Sequence, residues 1–148
     1  MEIRKATAKD FDALYTLGLE TPEFKVSSNG VFMERDEFLS AIENPYGTFL
    51  LSEDDGEITG FVYANRKDVE CGPKTKWACV VYIVVRPEYR KRGIAQALMD
   101  ACLVDLKENG VNHVYCWASS EGDGGIIRFM ENNGFQEGHA YVWMDKEM

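Results

Sequence analysis

The richest chemistry in the chain lies in Arg86-Pro87-Glu88-Tyr89-Arg90-Lys91-Arg92-Gly93-Ile94-Ala95. Arg86, Arg90, Lys91 and Arg92 put four of the sixteen basic residues into seven positions of a chain whose acids outnumber its bases 25 to 16. The pattern after Gly93 turns helical. The first N–H groups of a helix have no internal partners and the macrodipole is positive there, so cations gathered at this point suit an anion. Gly93 removes the Cβ that would keep a ligand from the backbone, and small Ala95 leaves room beyond it. No Ser, Thr, Asp or Asn stands at the helix start to cap it, a role that a bound phosphate fills. Neither G-x-x-x-x-G-K-[ST] nor G-x-G-x-x-G is present, so the nucleoside-triphosphate and dinucleotide loops are excluded. What remains is a diphosphate-sized anion site with one glycine, or a solvated basic turn.

Several elements must position this segment. Trp77–Val85 is a nearly unbroken apolar run, too short for a typical helix, and reads as a strand buried on both faces at the sheet centre. Arg86-Pro87 ends it, because proline lacks the N–H that a central ladder needs. A long amphipathic helix is expected from about Ile94 to Asn109, stopped by Gly110, then a strand over Val111–Ala118 and a helix over Gly124–Asn133 with Ile126, Ile127 and Met130 inward. The alternating Tyr141-Val142-Trp143-Met144 is expected to close the sheet as a last strand.

Upstream, Ile3–Ala6 reads as a short first strand. Thr7 stands three residues before Asp10 and opens a helix running to about Leu19. Thr21–Val31 reads as a loop, Arg35–Glu43 as a helix ended by Asn44-Pro45, and Thr48–Glu53 with Glu57–Asn65 as a hairpin turned at Asp54-Asp55-Gly56. Asn65 to Lys76 is polar and reads as an exposed loop.

Length and composition narrow the classes. A chain of 148 residues is expected to form one domain spanning residues 1–148. The net charge of −9 argues against nucleic acid, whose binders neutralise phosphates, and favours a cationic partner such as an amine. No apolar run is long enough to span a membrane, and the polar start at Met1-Glu2-Ile3-Arg4-Lys5 does not read as a signal peptide. Cys71, Cys79, Cys102 and Cys116 show no C-x-x-C spacing and His113 and His139 are the only histidines, so no metal site is expected. Free thiols in apolar runs suit a reduced, cytoplasmic protein.

Arg90-x-x-Gly93-x-Ala95, preceded by Ile83-x-Val85-x-Pro87 and followed by the long helix, resembles the acetyl-CoA signature R/Q-x-x-G-x-G/A of the GNAT superfamily of N-acetyltransferases. Asp123 to Phe135, D-G-G-I-I-R-F-M-E-N-N-G-F, is similar to that family's second cofactor segment, N-x-x-A-I-x-hydrophobic-Y-x-x-x-G-F. The resemblance covers Trp77 to Phe135, and the earlier elements suit the family's first strand, helix pair and hairpin. It implies a mixed α/β fold: a mostly antiparallel central sheet with one splayed strand pair, flanked by helices.

The resemblance also implies roles. Backbone groups of Ile83, Val84 and Val85 would bond the pantetheine arm of acetyl-CoA, and an N–H near Ile83 or Val84 would polarise the thioester carbonyl. The amides of Lys91, Arg92, Gly93, Ile94 and Ala95 would cradle the pyrophosphate, with Arg90 lending charge. The reaction would be direct acetyl transfer to an amine. Two departures stand out. Met130 occupies the place of the family's proton-donating Tyr, and a thioether donates no proton. Asp123 replaces the usual Asn, and would either repel phosphates or accept an amide N–H. Tyr141, Tyr82 or water are candidate substitutes for the acid. Glu70, Glu121 and His139 are candidate bases by type only. A non-catalytic acyl-CoA-binding module on the same fold is the alternative. The acceptor, a small-molecule amine, a peptide N-terminus or a lysine, would be selected by Glu20–Met33 and Asn65–Lys76, and the C-terminal strand would serve a homodimer.

Overall fold

Residues 1–24, 32–67 and 76–148 are described by the computed structural model. Apolar side chains alternate along the central strands and sort the core into two halves. On the hairpin formed by β2 (Gly47–Asp54) and β3 (Glu57–Lys67), Phe49, Leu51, Phe61 and Tyr63 face one side of the sheet, while Leu50, Val62 and Ala64 face the other. The first set is covered by α1 (Phe11–Leu19) and α2 (Arg35–Glu43), which contribute Leu14, Leu17, Phe38 and Ile42. The second is covered by α3 (Ile94–Glu108), through Ile94, Leu98, Met99, Cys102 and Leu106, and by α4 (Gly125–Asn132), through Met130. Helices therefore flank one mixed sheet on both faces.

Among the described residues the sheet has five strands in chain order: β1 (Glu2–Lys5), β2, β3, β4 (Trp77–Val85) and β5 (His113–Cys116). The first four are antiparallel, and only β4 and β5 run parallel. Asp55 and Gly56, with φ of 49° and 80°, form the two-residue turn between β2 and β3. At the chain start, the Asp10 carboxylate accepts the Thr7 N–H at 2.9 Å, and the turn it closes is a 3-10 turn over Ala8–Asp10 ahead of α1. Arg4 of β1 pairs with Asp10 at 2.9 Å and with Glu53 of β2 at 3.0 Å, tying this start to the sheet.

Three expectations need correction. β4 is second from the sheet edge rather than central, and its middle residue Val81 is 39% exposed, because β5 accompanies it over four residues only. β5 is correspondingly shorter than Val111–Ala118. The C-terminal strand does not form: Tyr141, Val142, Trp143 and Met144 are 64–88% exposed. An alternating segment becomes a strand only when an edge accepts it in register. Here the Trp143 indole N–H bonds Asp145 at 2.7 Å instead.

Candidate active site

β4 and β5 pair from Trp77–His113 to Val80–Cys116, and there they part. β4 runs on to Val85, paired with β3 alone. Its register against β3 slips between Tyr63 and Ala64, which face Tyr82 and Val80, so Val81 is the extra residue of a β-bulge at the fork. Beyond the bulge Tyr82 and Val84 face α1 and α2, whereas Ile83 and Val85 face α3. The Arg86 N–H donates to Thr59 of β3 at 2.8 Å. Alternation along an antiparallel ladder then turns the Val84 backbone groups toward β3 and those of Ile83 and Val85 toward the open edge. Five residues of open edge span about 16 Å at ~3.3 Å per residue.

The edge leads into the basic turn. Arg86 Nε donates to the Ile58 carbonyl at 2.6 Å, and Arg90 Nε to the Val85 carbonyl at 3.1 Å, so both arginine stems lie fixed along strand ends. Lys91, at φ 63°, and Gly93, at φ 80°, both adopt the left-handed conformation. Gly93 is the N-cap of α3, and no side chain caps this helix. A Cβ on Gly93 would meet no atom within 4 Å. The glycine is required by its φ and leaves a clear approach to the amides of the first turn, a cradle that fits the diphosphate of a nucleotide-like ligand.

α4 ends against the first turn of α3. Asp123 accepts the Gly125 N–H at 2.9 Å, so one carboxylate oxygen serves the helix start. Gln96 of α3 and Asn133 exchange two side-chain hydrogen bonds at 2.7 and 3.1 Å and clasp the two helices together. Met130 is 5% exposed and packed in the α3-side core.

The remaining candidates lie apart. The Tyr82 ring packs against Phe24 and Phe32 on the α1 side, its hydroxyl donates to the Phe32 carbonyl at 3.2 Å, and burial pushes its pKa up. Tyr141 is 72% exposed and meets Trp117, which directly follows the end of β5, in an edge-to-face contact at 5.7 Å. Glu121 and His139 are exposed, and Glu70 lies outside the described residues. Trp77, at the closed end of the β4–β5 pair, packs against His113 with the two rings tilted by 44°. Sequence reasoning missed Val81 and Trp117. A bulge appears in no residue type, only in register, and Trp117 matters only because β5 stops one residue before it.

The fold is a mixed sheet whose one parallel strand pair opens beside a glycine-capped helix. The sequence matches the model of the acetyltransferase (GNAT) family over residues 11–135, and the chain belongs to that family. No curated protein matches the sequence. Among solved structures, a tetramutant of the BH1408 protein from Bacillus halodurans matches at a TM-score of 0.81 with 18% identity, covering 99% of this chain and 100% of its own. The aminoglycoside antibiotic 6'-N-acetyltransferase AAC(6')-IG from Acinetobacter haemolyticus matches at 0.74 with 22% identity, covering 100% and 99%. The aminoglycoside acetyltransferase meta-AAC0020, from an uncultured soil metagenomic sample and in complex with sisomicin, matches at 0.77 with 13% identity, covering 99% and 96%. At these identities the likeness is one of fold. No helix among the described residues is long and apolar enough to cross a membrane.

Proposed function

We propose that the protein is an acetyl-CoA-dependent N-acetyltransferase that acetylates a primary amine by direct attack, without a covalent enzyme intermediate. One observation carries the reading: β4 leaves β5 at Val80 and continues, edge open, to a helix start capped by an uncrowded Gly93. The edge N–H and C=O of Ile83 and the N–H of Val85, on either side of Val84, take the pantetheine arm as they would a neighbouring strand, the Val85 carbonyl being held by Arg90. The amides of Lys91 to Ala95 hold the pyrophosphate, with Arg90 and Arg92 lending charge. Asp123 stays compatible with that anion because it is engaged by an N–H.

Acetyl-CoA, when bound, supplies the thioester carbonyl that the amine attacks. An edge N–H near the bulge, at Val81 or Ile83, is suited to hold charge developing on that carbonyl oxygen. An amine attacks only when neutral, so a proton must leave it, by water toward a carboxylate such as Glu121, and one must reach the thiolate. Tyr141 is the better donor. It is exposed beside Trp117 at the mouth of the fork, whereas the Tyr82 hydroxyl is engaged with Phe32. The acceptor is cationic. A net charge of −9 favours its approach, and the exposed Trp117–Tyr141 pair offers ring faces to an ammonium. An aminoglycoside, by analogy with the structural neighbours, leads the candidates. The buried Cys102 thiol suits the cytoplasm, and the exposed C-terminal segment is suited to a homodimer contact.

The test is thiol release from acetyl-CoA against a panel of aminoglycosides, polyamines, and lysine and N-terminal peptides. Turnover is expected with at least one cationic acceptor. Tyr141→Phe should lower kcat about a hundredfold, the low end for a lost general acid. CoA binding with no thiol release across the panel would instead favour a non-catalytic acyl-CoA module. The burial of Met130, with no proton to give, favours that second reading.

A further inference from the structure

We infer that Tyr89 and Glu57 form a clamp that positions Arg92 for the phosphates of the CoA ligand, a role resting on the cofactor reading above. The arginines of the basic turn differ in how they are held. Arg86 and Arg90 are each fixed by an Nε–H to a backbone carbonyl of the sheet. Arg92 has no such bond. Its guanidinium lies over the Tyr89 ring, 5.1 Å from the centroid. The Tyr89 hydroxyl donates in turn to the Glu57 carboxylate at 3.1 Å. Glu57 is the first residue of β3, directly after the Asp55-Gly56 turn. Tyr89 is half-buried against the α3-side core, so its ring is a firm shelf, while Arg92 itself is exposed.

A long arginine side chain free in solvent loses rotamer freedom when it engages a phosphate. An aromatic face that gathers the guanidinium beforehand reduces that loss and leaves the N–H fork free to bond oxygens. The shelf is anchored from a turn distant in sequence, which explains an acid close to an otherwise anion-seeking loop. The Glu57 carboxylate accepts the Tyr89 O–H hydrogen bond. Tyr89 and Glu57 are therefore positioning residues that act through Arg92.

Calorimetric titration with CoA and with pantetheine, which has no phosphate, tests the clamp on wild type, Arg92→Gln, Tyr89→Leu, the double variant and Glu57→Ala. Wild type is expected to bind CoA. Arg92→Gln should raise the CoA Kd about tenfold, Tyr89→Leu about threefold to fivefold, and the double variant no more than Arg92→Gln alone. Glu57→Ala, which leaves the core untouched, should raise it about twofold, and Glu57→Gln, which keeps an acceptor, should restore it. Pantetheine affinity should stay constant throughout, whereas a variant damaged in folding would weaken both ligands. Losses that multiply in the double variant, or a Tyr89→Leu protein with unchanged CoA affinity, overturn the clamp and leave the cofactor site standing. A well-folded wild type that binds no CoA overturns both.

Discussion

Val80 and Cys116 are the last pair of residues that β4 and β5 share, and Val81, directly after Val80, is the extra residue of a bulge. The sheet opens where its register slips. Without the slip, β4 would keep each side chain on its original face. With it, Ile83 and Val85 turn to the α3 face while their backbone groups look out of the open edge. One irregularity thus creates the bay and aims the strand at the Gly93 turn.

Lys91 stands at φ 63°, a conformation that costs a non-glycine residue about 1 kcal/mol or more. Lys91→Gly should leave stability unchanged or raise it by up to about 1 kcal/mol in urea unfolding. The same variant should bind CoA more weakly, because an ammonium leaves the proposed pyrophosphate site. Tighter binding by the variant would mean that the lysine charge is directed elsewhere.

Met130 fills the core and donates nothing. Met130→Leu nearly conserves volume and should cost less than about 1.5 kcal/mol, with kcat unchanged. Met130→Ala should cost about 2–4 kcal/mol by opening a cavity while leaving the CoA Kd within twofold. A large fall in kcat for the leucine variant would give the thioether a role in turnover.

The hydrogen-bonded Arg4 guanidinium holds the Asp10 carboxyl down at about 2. A folded value below the unfolded one means that this pair stabilises fully above about pH 4, and that the contribution fades as pH falls from there toward 2. Between pH 6 and pH 3, wild type should lose about 1 kcal/mol more than Asp10→Asn, a partly solvated pair being worth less than its pKa shift alone implies. Equal losses would show that the pair does not stabilise the fold.

Much of this was readable from residues. Trp77–Val85 and Arg35–Glu43 form the expected elements with the expected bounds, since an apolar run closed by proline and a helix closed by Asn44-Pro45 carry their own stops. The hairpin turn follows from Asp55-Gly56. The cap position of Gly93 was legible because a glycine at a helix start with no capping side chain is a local pattern. The bulge at Val81, the short reach of β5 and the unpaired Tyr141–Met144 segment were not legible. Each depends on a partner distant in sequence, and none changes the residue types along its own strand. Under the proposed function, the open backbone edge would take the cofactor's common arm, and side chains of the surrounding loops would choose the amine.

The most direct measurement is thermal unfolding with CoA and acetyl-CoA, on wild type and on Gly93→Glu. A ligand at a hundred times its Kd adds about 2.7 kcal/mol to stability, which in a domain of this size raises the midpoint by about 5–10 °C. The expected result is that rise in wild type and its loss in the glutamate variant, whose side chain would occupy the approach to the α3 amides and meet the pyrophosphate with like charge. A well-folded wild type with no rise would contradict the cofactor site and the enzyme reading built on it.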